Sequence, residues 1–181
     1  RPGWFYHKHE DGQVKRPEQL VDLYYASVGR GASFLLNLPP DRRGKIAEPD
    51  VQALRGFHRI LDATFATNLA SSAQAQSSDA RGGGRDPRFA AANVLDGKHD
   101  TYWTTNDGIT TPTLVVVLGR DVSFSVVRLR EYLPLGQRVE AVALDRWAGN
   151  GWVEFARATS IGSCRLIRGP RVTSSRVRLR V

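Results

Sequence analysis

Hydrophobic and polar positions follow two different patterns along the chain. In the first third, apolar residues recur every three or four positions in two stretches, which is typical of amphipathic helices. From Asn93 onward, short β-rich runs recur at a spacing of roughly 8 to 12 residues, which is typical of a β-sandwich or barrel. A small, polar segment from Ser71 to Arg88 separates the two patterns. We therefore predict two domains, 1–66 and 67–181, the first α/β and the second all-β.

Two helices are predicted in the first domain. Pro17 and Glu18 begin the first one, since proline is favoured at the first helical position and an acidic side chain in the first turn. Glu48-Pro49-Asp50 begins the second. The positions predicted to form the buried face of this second helix are Val51, Leu54, Phe57, His58, Leu61 and Phe65.

The segment between the helices, from Ser33 to Pro40, predicts a buried strand. Its apolar run ends at two prolines, which cannot donate a hydrogen bond to a neighbouring strand. Helices on both sides make it a candidate parallel strand. Asn37 then lies at the carboxyl end of this strand, where the catalytic and ligand-binding residues of α/β folds are usually found.

The predicted all-β domain contains six β-rich runs. Turn signals separate most of them, among them Gly119-Arg120-Asp121, Gly169-Pro170 and a hairpin turn at Asn150-Gly151. The runs are Leu114–Leu118, Val122–Leu129, Val139–Trp147, Trp152–Ala158, Cys164–Ile167 and Arg176–Val181.

The hydrophobic content and the charge of the chain limit the kinds of partner that it is expected to bind. The chain has 181 residues and 41% hydrophobic content, and no apolar run approaches the roughly 18 to 20 residues of a membrane span. The net charge of +8 is compatible with an anionic partner or with arginines scattered over exposed faces. Because no block of like charges and no nucleic-acid motif occurs, we expect neither a nucleic acid nor a membrane as partner. Arg1-Pro2-Gly3-Trp4 does not have the pattern of a signal peptide, and with no methionine in the chain we expect a fragment.

The first domain resembles the end of the barrel of family 29 α-L-fucosidases, in particular the branch that cleaves α-1,3/1,4-fucosyl linkages. The resemblance is carried by Arg1-Pro2-Gly3-Trp4-Phe5-Tyr6-His7, by Val28-Gly29-Arg30 and by Leu35-Leu36-Asn37-Leu38-Pro39-Pro40-Asp41-Arg42-Arg43-Gly44. It implies the last strand and helices of a (β/α)8-like barrel from a periplasmic or secreted enzyme.

Such an enzyme is implied to be a retaining exo-fucosidase acting on fucosylated oligosaccharides or glycoconjugates. It uses an Asp nucleophile and a Glu acid/base, and both are expected upstream of Arg1, so this chain supplies no catalytic residue. What it supplies is a wall of the pocket. Fucose presents a methyl group and several hydroxyls, which need apolar surface and hydrogen-bonding groups. The candidate substrate-binding residues are Trp4, Tyr6, Phe34 and Asn37, with core packing as the alternative for the aromatic ones.

The second domain resembles the discoidin-like, galactose-binding-like jelly-roll sandwich of family 32 carbohydrate-binding modules. Asn93-Val94-Leu95-Asp96-Gly97 and Thr101-Tyr102-Trp103 carry this resemblance. It implies a structural calcium ion held by Asp96, Thr101 and carbonyls near Val94, although the distal acidic ligand would fall beyond Val181.

Trp147 and Trp152 flank the predicted hairpin turn and are the candidate sugar-contacting residues of this domain. The sandwich could equally stabilise the barrel without binding sugar. The alternative for the whole chain is a non-catalytic, lectin-like carbohydrate-binding module.

Overall fold

The computed structural model describes residues 1–181. The chain divides into two compact units, Arg1–Thr67 and Asn68–Val181. The identities that the two resemblances assign to these units stay predictions. No helix is both long enough and apolar enough to cross a membrane.

The first unit is built on two helices, α1 (Pro17–Ala26) and α2 (Glu48–Phe65), which begin where they were predicted. Short 3-10 turns cover Lys8–Gln13 and Val28–Arg30. The helices approach closely at Gly56, where an added Cβ would lie 2.5 Å from Cγ of Pro17. A glycine at this point of contact therefore allows the observed packing.

The predicted buried face of α2 is partly wrong. The residues that become fully buried on this helix are Asp50, Ala53 and Gly56. His58 is exposed, and its Nδ1 lies 2.6 Å from Oδ2 of Asp62 one turn later. At 100° per residue, His58 is rotated by about 200° from Gly56, so it lies on the opposite side of the helix.

The segment 33–39 does not form a strand, although its side chains are buried alternately, as in an extended chain. None of its backbone groups pairs with another backbone group, and the nearest bridge joins Pro40 to Ile46. Burial nevertheless alternates along it: Phe34, Leu36 and Leu38 are half-buried, whereas Leu35 is 90% exposed. The predicted parallel strand is absent because a strand needs hydrogen-bonded neighbours, and the first unit contains no second strand to provide them.

The second unit contains a five-stranded sheet whose neighbouring strands are all antiparallel. Its order is β1-β2-β5-β3-β4. The strands are β1 (Gln74–Ser77), β2 (Thr113–Leu129), β3 (Val142–Trp147), β4 (Trp152–Ala158) and β5 (Arg165–Arg180). Short 3-10 turns cover Arg81–Gly84, Pro87–Phe89, Ala91–Leu95 and Leu133–Leu135.

Two of the predicted turns lie inside long strands. Gly119-Arg120-Asp121 is an irregularity within β2, and Gly169-Pro170 lies within β5. Pairing continues on both sides of them, so each long strand contains two of the predicted runs. Both halves of β5 contribute to the core around Leu144, through Ile167 and Val177, whereas β2 contributes through its second half, at Val127. The register shifts at these positions are of the kind that bends a strand, which lets both halves of β5 reach the same core.

The hairpin predicted at Asn150-Gly151 is confirmed. Trp147 pairs with Trp152 at the end of the β3–β4 ladder, and the N–H of Ala148 donates to the carbonyl of Gly151 at 2.9 Å.

Candidate functional site

A groove in the first unit brings two of the predicted substrate-binding residues together. It encloses about 280 Å³. Its apolar walls come mainly from the two helices and the extended segment, and its polar lining includes Asn37 and Lys15. The lining residues are Arg1, Pro2, Gly3, Trp4, Val14, Lys15, Leu20, Leu36, Asn37, Leu38, Asp50, Ala53 and Leu54.

Asn37 and Trp4 are joined directly although 33 positions separate them in sequence. The Nδ2 of Asn37 donates to the carbonyl oxygen of Trp4 at 2.7 Å. The Trp4 side chain is not part of this bond, and Trp4 is 68% exposed. The arrangement therefore fixes the backbone of Trp4 and leaves its indole open to an external ligand.

Tyr6 belongs to a neighbouring polar cluster. Its hydroxyl donates to Oδ2 of Asp11 at 3.3 Å, and the guanidinium of Arg1 lies 4.9 Å from the ring centre. Burial raises the pKa of Tyr6, and the negative charge of Asp11 raises it further. Tyr6 is therefore a protonated donor whose hydrogen is already used by Asp11.

Phe34 packs against a helix. Its ring meets that of Phe57 on α2 edge-on, with centroids 6.1 Å apart and an interplanar angle of 86°. This contact is the core packing that was the alternative for Phe34.

Sequence reasoning missed the ion pairs of Arg1, a residue that lines the groove. The side chain of Arg1 is 2% exposed, and its Nη2 contacts Oδ2 of Asp50 and lies 3.2 Å from Oδ1 of Asp11. The hydrogen bond to Asp50 is the main reason that the pKa of Arg1 is raised. Asp50 had been assigned only a helix-start role, and no sequence signal connects it to a residue 49 positions away.

The carboxylate of Asp41 is also engaged. It accepts the N–H of Arg43 at 2.8 Å and the Nε of the same residue at 2.9 Å. The hydrogen bond to the Arg43 side chain lowers the pKa of Asp41. Asp41 and Asp50 are thus both held in ion pairs, a role that differs from that of a nucleophile open to substrate.

In the second unit, Trp147 and Trp152 contact each other edge to face. Their ring centres are 5.3 Å apart and the planes cross at 70°. The guanidinium of Arg176 lies 5.8 Å from the ring centre of Trp147, and that of Arg178 lies 4.7 Å from Trp152. Both indoles are half-buried, and each already has a cationic neighbour.

The backbone around Trp147 is held by the buried Ser174. Its Oγ accepts a hydrogen bond from the N–H of Trp147 at 3.1 Å, and its hydroxyl donates to the carbonyl oxygen of the same residue at 2.9 Å. The same oxygen accepts the N–H of Arg176 at 3.2 Å. Ser174 therefore connects the two strands that carry the indole and its cation.

The Asp96 loop is closed by its own hydrogen bonds. The Asp96 carboxylate accepts the N–H of Lys98 at 2.8 Å and the hydroxyl of Thr101 at 2.8 Å. The hydrogen bond from the Lys98 amide lowers the pKa of Asp96 the most, and the bond from Thr101 lowers it further. Gly97 has a φ of 75°, which suits glycine at this turn. Val94, which precedes the turn, is exposed.

These oxygens are of the type that a hard cation prefers. A calcium ion takes six to eight oxygen ligands, and Asp96 and Thr101 supply a carboxylate and a hydroxyl. Nowhere does the chain bring together three or more His, Cys, Asp or Glu side chains that could hold a metal ion. Calcium here would thus need backbone carbonyls for most of its remaining ligands.

No known protein-family model matches the chain. It is 38% identical over 178 residues to "Alpha-L-fucosidase 1" of Arabidopsis thaliana, covering 97% of this chain and 35% of the relative. A solved GH29 fucosidase of Ruminococcus gnavus in complex with fucose superposes with a TM-score of 0.86 at 30% identity, covering 99% of this chain and 36% of that one.

A third protein shares the fold over part of the chain. It is a structure named CpGH89CBM32-5 from Clostridium perfringens, in complex with GalNAc-β-1,3-galactose, with a TM-score of 0.55 at 15% identity. The match covers 64% of this chain and 88% of that one.

The chain spans about a third of the length of the curated relatives it matches. In sequence and in structure, it is similar to the C-terminal part of GH29 α-L-fucosidases.

Proposed function

We propose that this chain is the C-terminal portion of a retaining exo-α-L-fucosidase that removes terminal fucose, with α-1,3/1,4 linkages as substrates, outside the cytoplasm. The observation that carries the proposal is that nearly the whole chain aligns with fucosidases while covering about a third of them. The nucleophilic Asp and the acid/base Glu then belong to the part upstream of Arg1.

The unpaired segment 33–39 supports this proposal. None of its backbone groups pairs with another, and its side chains alternate as in a strand, with Phe34, Leu36 and Leu38 half-buried on one side. A barrel strand that lacks both neighbouring strands has unpaired backbone groups along both of its edges. The segment 33–39, with its exposed Leu35, has this character. We propose that upstream strands pair with both edges.

Within that barrel, the groove residues form one wall of a fucose pocket. The exposed indole of Trp4 offers apolar surface to the methyl group of the sugar, and Asn37 holds the backbone that carries this indole. Tyr6 and Phe34 support the wall through Asp11 and Phe57 respectively.

The sequence upstream of Arg1 in the gene tests the function. We expect an Asp and a Glu at the carboxyl ends of predicted barrel strands. The absence of these two residues would contradict the fucosidase proposal and favour the lectin-like module.

Hydrogen exchange tests the pairing of segment 33–39. In the chain alone, the amides of Leu35, Leu36 and Asn37 are expected to exchange within seconds, because no carbonyl accepts from them. In a protein that includes the upstream part, these amides should be slowed at least a hundredfold. The amides of β3 in the second unit serve as a control, since their exchange should be the same in both proteins. Equal, rapid exchange of segment 33–39 in both would show that no strand is added.

For the second unit we propose a galactose-binding-like, discoidin-like sandwich that supports the barrel or contacts sugar through Trp147 and Trp152. The fold shared with the Clostridium perfringens protein supports this assignment. That protein is described in complex with a sugar, which is the observation favouring the lectin-like alternative.

We further propose that Asp96 and Thr101, with carbonyls near Val94, hold a structural calcium ion. Such an ion would tie the loop to the sheet by binding only the folded state. At a hundred times its dissociation constant, calcium would then stabilise by about 2.7 kcal/mol. We expect millimolar calcium to raise the melting temperature and a chelator to reverse the rise. Asp96→Asn should abolish this response, whereas Asp107→Asn on a different loop should retain it. A melting temperature insensitive to calcium would exclude the site.

A further inference from the structure

The backbone that carries Trp4 is held at two points. On one side, Oε2 of the buried Glu10 accepts the N–H of Gly3 at 3.2 Å. On the other side, Asn37 donates to the carbonyl of Trp4 at 2.7 Å. The two bonds thus hold the first donor and the last acceptor of the Gly3-Trp4 dipeptide.

Glu10 also fits closely against this dipeptide. A Cβ added at Gly3 would lie 2.9 Å from both carboxylate oxygens of Glu10, which is shorter than real Cβ atoms tolerate. The glycine therefore permits a close approach that no other residue would allow without a shift of Glu10.

We propose that Glu10 is a positioning residue, which together with Asn37 fixes the backbone of Trp4 and thereby the place at which its indole is presented for sugar binding. This inference rests on the proposed function, because it takes the fucosyl group as the ligand of Trp4. An aromatic side chain on a fixed backbone loses less conformational entropy when a ligand binds. Part of the entropy loss has then already occurred during folding and does not weaken binding. Glu10 acts only through Gly3 and Trp4.

The first readout is structural and needs no activity. In the 181-residue chain, the indole N–H resonance of Trp4 should move or broaden in Glu10→Ala, while those of Trp147 and Trp152 stay in place. Glu10→Gln should restore the native resonance, because its amide oxygen can accept the same hydrogen bond. Glu10→Asp keeps the charge but is one methylene shorter, so it should resemble Glu10→Ala. The matched control is Glu18→Ala, which removes an exposed glutamate from α1.

The second readout is kinetic and uses the complete gene product with an aryl α-L-fucoside. Glu10→Ala is expected to raise KM about 3- to 30-fold with little change in kcat, as does any loss of binding that is equal in ground and transition states. In a Trp4→Ala background the same substitution should raise KM no further, because its effect passes through that indole.

The outcomes separate the inference from the function on which it rests. An unchanged Trp4 resonance in both Glu10→Ala and Glu10→Asp would overturn the positioning role, and so would an equal rise in KM in the Trp4→Ala background. If Glu10→Ala does not fold, Glu10→Asp and Asn37→Ala provide the same test. A Trp4 resonance that shifts and is restored by glutamine, in a gene product without fucosidase activity, would support the backbone role and reject the proposed function.

Discussion

The 181-residue chain alone is expected to release no 4-nitrophenol from 4-nitrophenyl α-L-fucoside, whereas the product of the gene that includes the upstream part hydrolyses it. Retaining glycosidases need two carboxyl groups about 5 to 5.5 Å apart, and both are proposed to lie upstream. Because enzymes accelerate reactions by about 10⁶-fold or more, the difference between the two proteins should span the whole range of the assay.

Turnover by the purified chain would show that the catalytic carboxylates have been misplaced. Asp50→Asn and Asp41→Asn would then identify the residue responsible, since these carboxylates lie in the first unit and are held by Arg1 and Arg43. If neither variant changed the rate, the other carboxylates of the first unit would be substituted in turn, and a contaminating hydrolase would be the source if none of them changed it. The matched blank is the chain mixed with an upstream part whose proposed catalytic carboxylates have been substituted.

Asp145→Asn is expected to destabilise the second unit strongly. The residue is 2% exposed, and its Oδ2 accepts Nε of Arg178 at 2.8 Å and Nε of Arg180 at 2.9 Å. Removing one partner from a fully buried ion pair typically costs about 3 to 5 kcal/mol, and the loss here should lie below that range, because the side chains of Arg178 and Arg180 are 26% and 41% exposed and water can reach them. The loss should appear as a lower denaturant midpoint with an unchanged slope.

Glu154→Gln is the matched control, because Glu154 also binds Arg180 but is partly exposed. Water can replace the lost partner there, so the midpoint should move much less. An equal shift for both variants would mean that the burial of Asp145 does not matter for stability.

The pH dependence of stability provides a second check on Asp145. Burial alone would raise the pKa of this carboxyl, but the hydrogen bonds from Arg180 and Arg178 outweigh it and lower the pKa. Since the unfolded value is about 3.9, the stabilisation is present above that pH and is lost as pH falls through the lower folded pKa. In Asp145→Asn this part of the acid destabilisation should disappear.

Local patterns were sufficient to predict the helix starts at Pro17 and Glu48 and the hairpin at Asn150-Gly151. Each depends on residues within a few positions of one another, so their chemistry can be seen in a short stretch of sequence. The turns expected at Gly119 and Gly169 failed because the ladder between β2 and β5 continues across them. A local glycine signal cannot distinguish a turn from a bend within a paired strand.

Segment 33–39 shows most clearly what sequence alone determined and what it did not. The apolar run and the prolines that end it predicted a buried parallel strand, but only one side of the segment is packed and no backbone group of it is paired, because pairing depends on neighbours that this chain does not form. The contacts of Trp4 with Asn37 and of Arg1 with Asp50 were likewise decided by tertiary structure, since they join residues 33 and 49 positions apart. The sequence thus determined local conformation and the similarity to fucosidases. Only the fold decided which polar groups meet, because hydrogen bonds and ion pairs act over a few ångströms in space and take no account of separation along the chain.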